Sequence, residues 1–210
     1  MIRIVFSTIA GGLALFVASA IFWAMLPVPF TILHDMPLEQ TDAMLETLDL
    51  PESGVYHFPG FAVDENGKML EGDARAAHEA RYREGPAISM LVYDADGRDM
   101  MPAWQFPAAI TLTCIAAAVA SILLALAAQP SFMRRLAIVI TVGVCVGISG
   151  NAYHFMWFVL PYDFAGYATF ATIMEWIIAA PVFAAIMKPR ARAHAEETAD
   201  TDATNQEPEA

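Results

Sequence analysis

Three residues of this chain could do chemistry at a depth where water is scarce: Glu175, His154 and Asn151. Glu175 sits near the middle of Ala165–Met187, an apolar run with no other charge. Such a run is long enough to cross a bilayer. A carboxylate at that depth is costly, so it is kept for a function or held by a specific partner. His154, in the preceding apolar run, is the nearest obvious partner. A histidine beside a carboxylate near a membrane surface can serve as an acid–base pair, which makes Glu175 and His154 the catalytic candidates.

Helical phase turns both groups inward. Gly143, Gly147, Gly150, Asn151 and His154 share a stripe about 100° wide on an α-helix. Small residues on one face let a second helix approach, and polar residues there bond across the contact. On the next run Ala168, Ala171, Thr172 and Ala179 lie on the same side as Glu175. Only Pro161–Phe164 joins the two runs, so they are expected to pack as antiparallel neighbours. Depth then places Asn151 nearly level with Glu175 and His154 about one turn nearer the surface. The expected cluster is an Asn151–Glu175 hydrogen bond with His154 in side-chain or water reach. Its plainer role is to lock two helices together. A proton path would need more polar groups toward the other surface, and beneath Glu175 only Ser149 and Thr141 are available on the partner helix.

Four apolar runs must position these residues: Ile4–Leu26, Ala108–Ala128, Leu136–Leu160 and Ala165–Met187. Each is long enough to span a hydrocarbon core of about 30 Å. The expected fold is an all-α membrane bundle of four transmembrane helices. Its divisions are helix 1 over 1–26, an insert over 27–107, helices 2–4 over 108–187 and a tail over 188–210. Pro181 is expected to kink the last helix.

Charge orients the bundle. The formal net charge is −12, and the insert carries 15 acidic against 5 basic residues. Arg3, Arg134, Arg135, Lys188, Arg190 and Arg192 flank the runs at the opposite end. The positive-inside rule therefore puts both termini in the cytoplasm and the insert outside. An acidic outer segment also argues against nucleic acid as a partner.

Within the insert, Leu38–Leu48 reads as a helix capped by Asp35, with Leu38, Met44, Leu45 and Leu48 on its apolar side. Val55–Phe58 and Ile88–Tyr93 read as strands. Asp73–Glu84 reads as a solvated helix with Asp73 as its cap. Asp94-Ala95-Asp96-Gly97 begins like a calcium loop but lacks the later ligands, so it reads as a turn. The insert is thus a small α+β extracytoplasmic cap with a thin core, expected to pack on the helices or on a partner. The tail after Arg192 has no apolar residues to bury and is expected to be disordered.

Other chemistry is weakly signalled. Cys114 and Cys145 lie at different depths in apolar runs, too far apart for a disulfide. His34 and His154 fall on the same side and could ligate a haem or a metal, but an isolated surface histidine is the commoner case; no cofactor is expected. No phosphate loop, Cys-x-x-Cys pair, His-Glu-x-x-His helix or nucleophile elbow occurs. Arg3 and Ala18-Ser19-Ala20 imitate a signal peptide, yet the apolar run continues to Leu26, so an uncleaved helix is expected.

The order of motifs resembles a known group. Gly11-Gly12-Leu13, Leu26-Pro27, Thr31-Ile32-Leu33-His34, Pro51-Glu52-Ser53-Gly54-Val55-Tyr56 and Gly85-Pro86 are similar to those of four-pass bacterial inner-membrane proteins of similar length that have no assigned activity. The resemblance is strongest over Gly11–Pro59 and implies topology and an inner-membrane location, not an activity. The acidic tail departs from it. The expected role is a structural or accessory subunit, or an envelope sensor, working with the bilayer and with other membrane subunits or further copies of the chain. The alternative is a small transporter or membrane enzyme with a Glu175/His154 site open to the outer face.

Overall fold

The computed structural model describes residues 1–188 apart from 35, 51, 98, 100 and 130; of Leu38 only the backbone is described. The expected cap Asp35 and the tail with Arg190 and Arg192 lie outside the described residues. In chain order the elements are α1 (Ile2–Ala20), α2 (Val28–Ile32), α3 (Leu38–Leu48), β1 (Gly54–Phe58), α4 (Gly72–Glu84), β2 (Ile88–Tyr93), α5 (Gln105–Ala127), α6 (Phe132–Val146), α7 (Tyr153–Trp157) and α8 (Tyr162–Ile186). Two π-helical turns join this list. Ile21–Met25 extends α1, and Gly147–Ala152 links α6 to α7.

The chain is mostly helical, and four helices are long and apolar enough to cross a membrane: Ile2–Met25, Gln105–Ala127, Phe132–Trp157 and Tyr162–Ile186. Each span matches one of the four apolar runs. The side chains explain their ends. Leu26 leaves the helix in an extended conformation, and Pro27 cannot donate the next backbone bond. Ala128 closes α5 with a left-handed residue whose N–H donates to the Leu124 carbonyl. The last span runs as one helix through Pro181.

The packing order makes α8 the spine. It lies between α1 and α6, and α1 in turn lies between α8 and α5; α5 and α6 touch more lightly. Among the described residues the buried aliphatic and aromatic side chains, from Leu15 on α1 to Met187 after α8, come from the spans and their ends. Glycines set the closest approaches. A Cβ on Gly11 would fall 2.3 Å from the Phe183 ring, and one on Gly12 would fall 2.6 Å from Cys114 Sγ. A buried Ser121 hydroxyl donates to Ser7 across α1 and α5 at 2.8 Å.

The insert holds a two-stranded antiparallel sheet with Val55 opposite Val92 and Tyr56 opposite Leu91. Pairing slips between Tyr56 and Phe58. Helix α4 begins at Gly72, one residue before the expected start, and Glu71 holds the cap position. Asp73 therefore sits inside the first turn, where its charge still opposes the helix dipole favourably. The loop after β1 is pinned to α4: Tyr82 donates to the Pro59 carbonyl at 2.6 Å, and Arg81 stacks 5.0 Å over Phe58. Asp94–Gly97 closes as a turn with Gly97 at φ 69°. Val55, Phe61, Met69 and Val92 stay exposed, so the thin core anticipated from composition is what the fold contains.

Candidate functional site

Glu175 lies on the seam between α1 and α8. Glu175 faces α1 there, with the Ser19 hydroxyl and the Trp23 indole as the polar side chains that act on its carboxyl. Ser19 and Trp23 are four residues apart, so a helical turn presents both donors on one face. The Trp23 ring packs edge-on against Tyr167 at 5.3 Å and Phe164 at 6.3 Å, which fixes the indole beside α8.

One more bond closes the same seam. The π-turn sends the Leu26 N–H to the Ile21 carbonyl. The next carbonyl in that ladder, on Phe22, would look to residue 27, which is a proline without a donor. The Tyr167 hydroxyl donates to the Phe22 carbonyl instead. A backbone acceptor that the break in α1 leaves open is thus satisfied from α8. An open one would be costly in hydrocarbon.

This arrangement corrects the expected cluster. Asn151 faces α8 as anticipated, but its amide donates to Thr172 Oγ1 at 2.7 Å and to the Ala168 carbonyl at 3.3 Å. Glu175 is taken by α1. The reason is that α8 has two packed faces. Trp176 fills the α6 side, against Gly143, and Glu175, one residue back, is rotated about 100° toward α1.

His154 is exposed, with its ring tilted 4.6 Å from Phe158. Gly150 is also exposed, and a Cβ there would meet nothing within 4 Å. The expected stripe therefore holds for Gly143 and Gly147, whose added Cβ atoms would strike Trp176 at 2.2 Å and Ile173 at 2.7 Å. It fails at Gly150 and His154, although Asn151 between them still reaches α8. The cause is the π-turn at Gly147–Ala152. Each π-turn takes an extra residue through its i→i+5 bonds, so later positions rotate off the face that an unbroken α-helix would present.

At the other end of the bundle, Arg135 is 2% exposed. Its Nε donates to the Ala184 carbonyl at 2.9 Å and its Nη1 to the Gln129 carbonyl at 2.8 Å. Arg3 donates to the Lys188 carbonyl. These arginines occupy acceptors at and just past the end of α8, which a helix terminus leaves open. Sequence reading weighed Arg135 only as a topology charge, and Ser19 only within a cleavage-site imitation. The four-residue spacing of Ser19 and Trp23 was the available signal for a partner to Glu175.

His34 is exposed, as is Cys145, while Cys114 packs against Gly12. Among the described residues no three His, Cys, Asp or Glu side chains gather as metal ligands. Comparison with protein-family models, curated proteins and solved structures gives no match to this chain.

Proposed function

We propose that the chain is a non-enzymatic structural or accessory subunit, or an envelope sensor, of the bacterial inner membrane. Both termini then face the cytoplasm and the acidic insert lies outside. The observation that carries this reading is that Glu175 turns toward Ser19 and Trp23 of α1, across the seam from α8. A carboxyl turned onto two potential donors of a neighbouring helix serves as a tie between helices. His154, the partner an acid–base site needs, lies exposed beside Phe158. The orientation is supported by Arg3, Arg135 and Lys188 gathering at the end of α8, which is the arrangement the positive-inside rule favours for a cytoplasmic face.

The test compares Glu175→Gln with Glu175→Leu in cells and in purified protein. A tie keeps function and fold in Glu175→Gln, whose amide oxygen still accepts, and loses both in Glu175→Leu. A folded Glu175→Gln protein without function would refute the tie and favour proton or acid–base chemistry. Purification from native membranes tests the subunit itself. Other membrane subunits should co-purify, and a stable monomer with nothing bound would count against it.

A further inference from the structure

A groove of about 770 Å³ lies between the third and fourth spans, within the size range of small-molecule sites. Its walls are apolar: Phe155, Met156 and Val159 face Ala165, Gly166 and others on α8. Along α8 the lining runs from Tyr162 to Ile173, a rise of roughly 16 Å. That is about half of a 30 Å hydrocarbon core, the depth of one leaflet. The groove ends short of Glu175 and does not include it.

Local structure opens it. The wall on the third span starts at Ala152, the last residue of the π-turn, and π-turns recur at functional sites. A Cβ on Gly166 would meet nothing within 4 Å, so the backbone of α8 lies bare there. At the mouth Val159 adopts φ 51°. A β-branched residue resists that conformation, and such strain collects at binding sites.

We propose that this groove holds one acyl chain of a zwitterionic phospholipid whose headgroup carries a primary amine. Position selects a lipid, because a half-membrane slot on a spanning helix pair meets acyl chains before any other ligand. Charge selects the headgroup. Asp163 follows the lining residue Tyr162, its carboxylate accepting the Phe164 N–H, and the chain alternation of four spans puts that mouth at the insert's end. Trp23, at the end of the first span, packs on Phe164 there. The insert carries 15 acidic against 5 basic residues. An anionic headgroup would be repelled; an ammonium would be attracted.

The full-length protein is reconstituted in nanodiscs holding equal parts ethanolamine and glycerol phospholipid, released into mild detergent, and weighed by native mass spectrometry. One retained phospholipid per chain is expected, with the ethanolamine class in excess. Gly166→Phe fills the slot from bare backbone and should cut retention about tenfold. Gly150→Phe, equally open but outside the groove, should leave it unchanged. Ala165→Leu is a milder filling variant, to be read if Gly166→Phe lowers helical content. Three results would overturn the proposal: no retained lipid in the wild type, equal retention after filling, or preference for the glycerol class. A dimer that Gly166→Phe dissociates would overturn it as well, by making the occupant a second copy.

Discussion

Gly143→Ala isolates the contact between α6 and α8 in a single methyl group. The new Cβ would lie 2.2 Å from Trp176 Cβ and 2.7 Å from its Cγ. The first of these atoms is anchored to the α8 backbone, so no rotamer change removes the clash. Trp176 is also buried and stacked on Phe183 at 6.1 Å, which limits how far it can yield. Overpacking of this kind costs about 1–3 kcal/mol, and a backbone-anchored clash belongs at the upper end. Alanine recovers up to about 1 kcal/mol of helix propensity relative to glycine. The expected net loss is about 2 kcal/mol. Gly150→Ala is the matched control. It adds the same methyl to the same span in open space, so it should be neutral or slightly stabilising. Equilibrium unfolding of both variants in mixed micelles measures the difference, with tryptophan fluorescence read in a background where Trp23, Trp104 and Trp157 are phenylalanine so that it reports Trp176. Equal stabilities, or a larger loss at Gly150, would refute the assignment of the packing face and the role given to the π-turn.

Tyr167→Phe removes the donor to the Phe22 carbonyl and should destabilise by about 1–3 kcal/mol in the same assay; an unchanged protein would mean that another group satisfies that carbonyl. Arg135→Met keeps the stem but strips the guanidinium from the Ala184 and Gln129 carbonyls, with an expected loss of about 1.5–3 kcal/mol, and proteolysis near the end of α8 should quicken. A double-mutant cycle on Ser7→Ala and Ser121→Ala should return a coupling of about 0.6 kcal/mol, the usual size for a bond between spans; zero coupling would show that the pair adds nothing. In the insert, the Arg75 hydrogen bond, helped by its charge, holds the exposed Glu79 carboxyl below the usual glutamate range. A lowered folded pKa means the pair's contribution is present above the unfolded value and fades as pH falls through the folded one. Arg75→Ala should raise the Glu79 midpoint seen by NMR, and a midpoint that stays put would dissolve the pair.

The spans were legible because apolar length is a one-dimensional signal. Ile2–Met25 and Tyr162–Ile186 could be read without knowing any neighbour. The strands were legible too, since Ile88–Tyr93 is bounded by turn residues. What could not be read was which face of α8 met which helix. A uniform helical phase predicts one packed face, and α8 has two, one for α1 and one for α6. Nor does composition announce the π-turn at Gly147–Ala152. That turn is why Gly143 and Gly147 behaved as anticipated while Gly150 and His154 did not.

The two faces of α8 solve the same problem by different means. In hydrocarbon, burying apolar surface gains little, since lipid is as apolar as the side chains. Helices must instead touch closely or bond. Toward α6, Trp176 and Ile173 sit over Gly143 and Gly147, and Asn151 bonds Thr172 nearer the α8 N-terminus. Toward α1, Phe183 sits over Gly11, and the polar contacts again lie nearer the N-terminus, at Glu175 and Tyr167. In both seams the glycine notches lie nearer the end carrying Arg135, and the contacts of Asn151, Glu175 and Tyr167 lie nearer the insert. The half nearer the insert also contains both π-turns. The insert half is therefore held by side-chain contacts that can be broken one at a time, whereas at the other end the glycine contacts are backed by the Arg135–Ala184 and Arg3–Lys188 bonds. If the spans shift against each other in function, the motion should start at the insert's end, with Ser19, Trp23 and Tyr167 releasing α8 while Gly11 and Gly143 act as the pivot. A cysteine crosslink between positions 22 and 170, where Phe22 meets Phe170 at 6.1 Å, should then abolish function, and function that survives it would refute motion at that end.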